Sequence, residues 1–358
     1  MTNDTSPSFF GTTIGLDVSD AFSHFCVLDA RGEIRSEGRV RTNEEDVVAH
    51  FTTFGCCRVI VEVGAHSPWL DRALTAAGHE VIVANAAKFQ LIRSSYKKND
   101  RSDAELLARA GRLDPEMLSP VQHRSKQAQV DLAVLRSRGA LVAARTMLIN
   151  QVRGSVKAVG GALPRFDADY FHRHAPGHLP AELAPALIPL VTAIAALTAQ
   201  IQQMERELER IAEARYPAAA LLRQVNGVGP VTALAFLLTI GDPARFAKSR
   251  DIGPYLGLTP KQRQSGGRSP QLGITKAGDT LLRSLLVQAA HYITGPFGKD
   301  CDLRRWALPR LVAGGKNQKK RVIVAVARRL AVMLHRLLVT GAVYVPLYRS
   351  GGVPIAAA

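Results

Sequence analysis

The residues best suited to chemistry lie in Lys97-Lys98-Asn99-Asp100-Arg101-Ser102-Asp103-Ala104. Asp100 and Asp103 are three residues apart, and Leu106, Leu107 and Ala110 follow at helical spacing, so both carboxylates fall on one face of a helix starting near Asp100. Such a pair can hold a divalent cation. It can equally be an acidic first turn, favoured by the positive end of the helix dipole. The pair gains weight if other acids sit at strand ends, and two do. Asp17 lies in the alternating stretch from Gly11 to Asp20, and Glu62 interrupts the β-branched run from Arg58 to Val63. A lone carboxylate inside such a run is costly to bury unless it is paired or bound to metal.

The elements that must position these acids follow from pattern. The stretch from Gly11 to Asp20 reads as a strand, and Phe22 to Leu28 as a second; the turn Asp29 to Gly32 makes a hairpin with a third strand from Glu33 to Thr42. Asn43 is a good cap for a helix through Phe54, with Glu44, Glu45 and Asp46 in its first turn. Arg58 to Val63 suits a strand buried on both faces. Ser67 and Pro68 start a helix to about Ala77, Glu80 to Ala84 is another strand, and the loop from Lys88 to Asn99 leads into the acidic helix. Three hairpin strands followed by helix, strand, helix, strand and helix is the order of an α/β RNase H-like, RuvC-like domain. There, carboxylates from the first strand, a central strand and a late helix converge on divalent metals. Hard oxygen donors without a His or Cys cluster favour Mg²⁺ over zinc, and two ions could activate an attacking oxygen and stabilise a leaving one.

A chain of 358 residues is too long for one ordinary core and suggests two or three domains. No apolar run reaches the roughly 18 residues that span a bilayer, and the first ten residues do not read as a secretory signal, so a cytosolic protein is expected. Cys26, Cys56, Cys57 and Cys301 lack C-x-x-C spacing and read as small core residues. The formal charge is +16. From Arg245 to Arg336 there are 19 Lys and Arg against Asp251, Asp279, Asp300 and Asp302, so this segment alone carries +15. A basic field that concentrated points to a polyanion, most simply nucleic acid.

Ser125 to about Val159 is helical, with Leu132, Leu135, Val142, Leu148 and Val152 interleaved with Arg136, Arg138, Arg145 and Arg153. Gly160 to Pro185 breaks the helix, and His172, His174 and His178 there read as loop residues. A second helix from about Ala186 to Arg215 keeps heptad-like steps at Leu190, Ile194, Leu197, Ile201, Met204, Leu208 and Ile211. The pair reads as a coiled-coil arm, either joining protomers or folding back within one chain. Val225-Asn226-Gly227-Val228-Gly229-Pro230 before an apolar helix to Ile240 suits a helix-hairpin-helix element approaching a phosphate, or a plain tight turn. Beyond it come Gly257-Leu258-Thr259-Pro260, Lys261-Gln262-Arg263-Gln264-Ser265-Gly266-Gly267-Arg268, and Ile274-Thr275-Lys276-Ala277-Gly278-Asp279 with Arg283. Ser265, Gly-flanked among basic residues, is placed to act as a nucleophile or to bind a phosphate. Ser249 and Ser269 share the region, but only Ser265 has the Gly-Gly pair that allows close backbone approach. The stretch from Thr280 to Thr340 is helical and basic, with Lys316, Lys319, Lys320 and Arg321 opening the last helix, and the residues after Tyr348 read as a tail.

Taken together, Asp17 in Gly-Leu-Asp-Val-Ser, Glu62 in Val-Glu-Val-Gly, Lys-x-x-Asp-x-x-Asp-Ala from Lys97, Gly-Leu-Thr-Pro, Gln-Ser-Gly-Gly and Ile-Thr-Lys-x-Gly-Asp-x-x-Leu-Arg resemble the DEDD insertion-sequence transposases of the IS110/IS1111 group, described as bridge-RNA-guided recombinases. The resemblance implies a RuvC-like domain over residues 1–124, a coiled-coil arm over 125–216, a mainly helical, serine-containing transposase domain over 217–348 and a tail over 349–358. It implies Asp17, Glu62, Asp100 and Asp103 as Mg²⁺ ligands, and Ser265 as a nucleophile forming a phosphoserine link to a cleaved DNA strand. Lys97, Lys98, Gly227, Gly229, Lys261, Arg263, Gly266, Gly267, Arg268, Lys276, Arg283, Lys316, Lys319, Lys320 and Arg321 would meet nucleic acid. The implied partners are donor and target DNA, a noncoding bridge RNA and further copies of the chain in a dimer or tetramer with composite sites. The implied setting is the bacterial cytoplasm at the nucleoid, with no membrane. A hydrolytic RuvC-like junction nuclease would need the four acids and no serine, and a non-catalytic nucleic-acid-binding protein would need neither.

Overall fold

The computed structural model of the chain describes residues 11–85, 100–262 and 272–348. They form two compact units that divide between Ser125 and Lys126.

The first unit is built on a five-stranded sheet of β1 (Thr13–Asp17), β2 (Phe22–Leu28), β3 (Ile34–Arg41), β4 (Arg58–Glu62) and β5 (Glu80–Ala84), in the order β3-β2-β1-β4-β5. The first three strands are antiparallel neighbours, while β1, β4 and β5 run parallel. Helix α1 (Glu44–Thr52) leads from β3 to β4, and α2 (Ser67–Ala76) from β4 to β5. As the sequence leads one to expect, the Asn43 side chain caps α1, accepting from the Asp46 backbone N–H at 2.8 Å. One core joins Ile14, Leu16, Val59 and Val61 to Val47, Phe51, Leu70 and Leu74 of these helices.

The opposite face is covered by α3 (Asp100–Leu113). Gly15 and Ile60 alternate with Ile14, Leu16, Val59 and Val61, so they point to this face. At Gly15 an added Cβ would overlap the carbonyl oxygen of Ala104 and the backbone nitrogen of Ala108, and at Gly111 it would overlap the Ile60 side chain. The helix therefore lies against the sheet with backbone nearly touching backbone. Around that contact Leu107 and Ala110 pack with Ile60, Ile82 and Ala84, and Ala104 and Ala108 with Cys26 and Leu28. Arginines fix the helix along its length. Arg101 Nε donates to Glu37 at 3.0 Å, Arg112 Nη1 to the Asp29 carbonyl at 3.2 Å, and Arg58 Nη1 to the Gly111 carbonyl at 3.2 Å.

The second unit is helical: α4 (Lys126–Ala158), α5 (Phe171–His174), α6 (Ala184–Arg215), α7 (Ala218–Arg223), α8 (Pro230–Ile240), α9 (Ile252–Tyr255), α10 (Thr280–Thr294), α11 (Asp302–Val312) and α12 (Lys316–Thr340). Helices α4 and α6, each about 50 Å long from their residue count, fold back on each other within the chain, with Arg138 against Glu205 and Arg145 against Thr198. The buried stripe of α6 (Leu187, Val191, Ile194, Thr198, Ile201, Leu208 and Ile211) repeats at heptad spacing. At the arm's tip the exposed rings of His174 and His178 lie 5.6 and 5.3 Å from the Phe166 ring, which packs against a small core that includes Phe171 and Leu187. Contrary to the expectation that no apolar run is long enough, α6 is by length and composition able to cross a membrane; a single such helix, packed against the arginine-bearing α4, is weak evidence for a span. At the arm's base, Asp131 is fully buried and accepts from Arg215 at 2.6 Å, Tyr216 at 2.8 Å and Gln127 at 3.1 Å. The core there joins Leu132, Leu208 and Ile211 to α8, α10 and α12.

Substituting Gly15→Ala should cost about 2–3 kcal/mol, because backbone must move to admit one methyl. Gly154→Ala, in open space on α4, should instead gain about 0.5–1 kcal/mol. Chemical denaturation of the two variants checks both, and equal effects would disprove the close contact.

Candidate functional site

Asp17 ends β1 and Glu62 ends β4. These strands are parallel neighbours paired Leu16 with Val61, so the two acids come next in register on the face that α3 covers. Helix α3 runs opposite to β1, with Ala104 and Ala108 over Gly15, which delivers its first turn and the carboxylates of Asp100 and Asp103 to the same end. The four acids thus share one electrostatic field. Burial pushes the Asp17 carboxyl up to about 6, and the like charges of Asp100, Asp103 and Glu62 add to the rise. The opposing influence is His24, whose charge would lower it.

His24 was not visible as a site residue in the sequence. It stands opposite Asp17 in the antiparallel β1–β2 pair, and its buried Nδ1 lies 3.5 Å from Asp100 Oδ2 without a formed hydrogen bond. A histidine in a strand reading Phe-Ser-His-Phe-Cys carries no local signal; only the pairing register reveals it. A second feature joins the loops beyond the two strand ends. His66 Nε2 is 3.0 Å from Asp20 Oδ1, and the Trp69 indole N–H donates to His66 Nδ1 at 3.1 Å. That places the His66 proton on Nε2 and makes Asp20 the acceptor, linking the loop after Asp17 to the loop after Glu62.

The chemistry of the set, hard carboxylate oxygens in mutual repulsion, fits a divalent cation. The side chains are more widely spaced than the shell of one ion: among the described residues no three His, Cys, Asp or Glu close on a single point.

In the second unit, Gly257 and Gly278 join two of the motifs. Both have left-handed backbone, with φ of 66° and 72°, and a Cβ on Gly257 would overlap the Ala277 backbone, one on Gly278 the Tyr255 carbonyl oxygen. Lys276 N donates to Gly257 O at 3.1 Å, Thr275 N to Thr259 O at 2.9 Å and Lys261 N to Gly273 O at 2.9 Å. These bonds make a two-stranded neck, beside an open cleft of about 620 Å³ lined by Lys261, Gln262, Leu272, Gly273, Ile274 and Lys276.

The basic residues fall into several environments. Lys261, Lys276, Lys319, Lys320 and Arg321 are exposed. Lys316 opens α12. Arg283 must be reassigned: it is buried, and its guanidinium donates to the carbonyls of Leu256 at 3.1 Å and Ala277 at 2.7 Å and to Thr280. It braces the neck and does not face a polyanion. Gly227 has φ of 91° and packs its turn on Tyr292 and Ile293, while Gly229 begins α8 in open space. Lys97, Lys98, Arg263, Ser265, Gly266, Gly267 and Arg268 lie outside the described residues. Ser249 is not in the Gly-flanked loop; His335 Nδ1 lies 3.0 Å from its hydroxyl, and His335 Nε2 lies 3.0 Å from the Pro243 carbonyl.

Two family models match the chain: a DEDD transposase domain over residues 14–160 and the Transposase IS116/IS110/IS902 family over residues 219–297. The transposase for insertion sequence element IS1328 of Yersinia enterocolitica is 30% identical over 93% of this chain and 98% of its own length. The chain belongs to the IS110 family of transposases. The transposase for insertion sequence element IS1111A of Coxiella burnetii is 27% identical over 91% of this chain and 89% of its own. The pilin gene-inverting protein of Moraxella lacunata is 31% identical over 34% of this chain and 36% of its own. The five-stranded sheet with its covering helices is compatible with an RNase H-like DEDD domain. For an IS110-family transposase the reaction class is DNA cleavage and strand transfer, and a DEDD domain implies a divalent metal, typically Mg²⁺.

The folded state holds the Asp17 proton more tightly than the unfolded chain does. The cost of ionising it is absent below about pH 4, grows as pH rises and is full above about 6. Asp17→Asn should therefore raise stability at pH 7.5 by about 1–2 kcal/mol after allowance for solvent screening. The gain should vanish near pH 4. Denaturation of both proteins across pH measures it, and a gain independent of pH would rule out the shared field.

Proposed function

We propose that this transposase cuts and exchanges DNA strands through a covalent protein–DNA intermediate on Ser265, with Asp17, Glu62, Asp100 and Asp103 holding Mg²⁺. The observation that carries the reading is the convergence of the four acids on one end of the β1–β4 pair, in a chain whose DEDD family match spans all of them. Bound there, Mg²⁺ would supply charge to stabilise a pentavalent phosphorus and the oxygens gained and lost around it. The chain's own residues do the rest. The Ser265 hydroxyl attacks the scissile phosphorus: its Oγ–P bond forms as the P–O bond to the leaving sugar oxygen breaks, and the proton lost from the hydroxyl to solvent is matched by the one that this oxygen takes up from it. The neck bonds hold together Gly257–Lys261 and Gly273–Lys276, the described stretches that precede and follow Ser265 in the sequence. Lys261 and Lys276, exposed at the neck, suit the flanking phosphates.

Sequence choice in this reading falls to a noncoding RNA that pairs with donor and target DNA, while the protein follows helix shape and backbone charge. The segment carrying +15, with exposed Lys319, Lys320 and Arg321, suits that division. We place the working protein at the bacterial nucleoid, as a dimer or tetramer whose sites combine residues from different copies.

With Mg²⁺, cognate DNA and co-purified RNA, Ser265→Ala should abolish covalent adducts resistant to denaturant while RNA binding persists. Adducts that survive the change would reject the nucleophile, and cleavage without any adduct in the parent protein would indicate hydrolysis. Asp103→Asn should lower strand exchange at least about 100-fold with near-normal thermal stability. Undiminished exchange would dispose of the metal-site assignment.

A further inference from the structure

Phe297 is 79% exposed, a large apolar ring standing in water. It sits in Gly295-Pro296-Phe297-Gly298, directly after α10, and the turn is firmly braced. Arg304 Nη1 donates to the carbonyls of Ile293 at 2.7 Å and Gly295 at 2.6 Å. Gly295 N donates to Tyr292 O at 3.2 Å and Gly298 N to Gly295 O at 3.2 Å. Gly298 is packed so closely on the Ile293 carbonyl that a Cβ there would overlap it. The ring is thus displayed on a rigid frame, which lowers the ordering cost of whatever it meets. On the same helix end, five residues earlier, Tyr292 is 46% exposed and packs against the Gly227 turn, and Lys299 is exposed two residues on.

Charge identifies the occupant. Between Arg245 and Arg336, 19 basic residues face four acids. Asp251 accepts from the Lys248 N–H, Asp279 caps α10 and faces Arg136, and Asp300 pairs with Arg305. A polyanion with flat apolar faces matches both the charge and the ring. We propose that Phe297 is a stacking platform for an unpaired nucleobase. The proposal deepens the nucleic-acid reading above and rests on it. A base inside a duplex already stacks on its neighbours, so the platform favours melted or looped strands over paired ones.

The test uses the full chain and 2-aminopurine placed in an internal DNA loop, in an RNA loop of the same sequence and in a matched duplex. Phe297→Ala should weaken binding to looped probes about 10-fold and abolish the stacking-dependent fluorescence change, with duplex affinity unchanged. Phe297→Tyr should restore both. The arm that loses more, DNA or RNA, identifies the source of the base. Equal loss on loop and duplex, or no loss on either loop, overturns the platform while leaving the transposase reading intact. Failure of the parent protein to bind any probe overturns both. Because Phe297 is so exposed, its removal should leave thermal unfolding unchanged, and a lowered midpoint would count the ring as structural.

Discussion

Helix α3 reaches the sheet where β1 has no side chain. At Gly15 the backbone of Ala104 and Ala108 takes the space a Cβ would need, and at Gly111 the helix in turn gives way to Ile60. The Asp100 and Asp103 carboxylates stand on the first turn of that helix, Asp17 on the strand beneath it and Glu62 on the next strand. Their convergence is set by how close two pieces of backbone can come. A larger residue at position 15 would lift the helix and open the acid cluster without touching any acid. The arginines along α3 then hold an approach that the two glycines make possible.

That close approach has an electrostatic cost, visible at Asp17, where burial and three neighbouring carboxylates favour the proton. His24, opposite it on β2, acts the other way. A protein selected for stability alone would replace one of these acids with an amide. Such mutual repulsion is what a cation at the proposed site would relieve.

Much of the first unit was legible because its signals are local. The bounds of β2 and β5 agree with the sequence pattern, Asn43 caps α1 as its residue type suggests, and α3 begins at Asp100. Glu62 drew notice because a carboxylate in a β-branched run is out of place. His24 was not legible, since its meaning lies in the register that sets it opposite Asp17. Arg283 misled for a related reason. A basic residue in a basic helix looks surface-bound, yet three oxygens, two of them carbonyls from segments before the helix, enclose its guanidinium. The arm was legible as two helices, while the choice of a fold-back within the chain depended on which residues meet along the seam.

The second unit explains why its motifs are scattered along the sequence. Gly257 and Gly278 lie in separate stretches, yet each leaves room for the other's neighbouring backbone, and Arg283 bonds to carbonyls on both sides of the joint. Neither stretch is stable in this form alone, because each supplies the surface the other's left-handed glycine packs on. The same logic holds at the arm's base, where Asp131 is buried only because Arg215, Tyr216 and Gln127 satisfy it. In both places a costly local feature, left-handed backbone or buried charge, is compensated by a distant segment. Such pairs tie segments distant in sequence into one unit, so a lesion at either joint removes support from both of its segments.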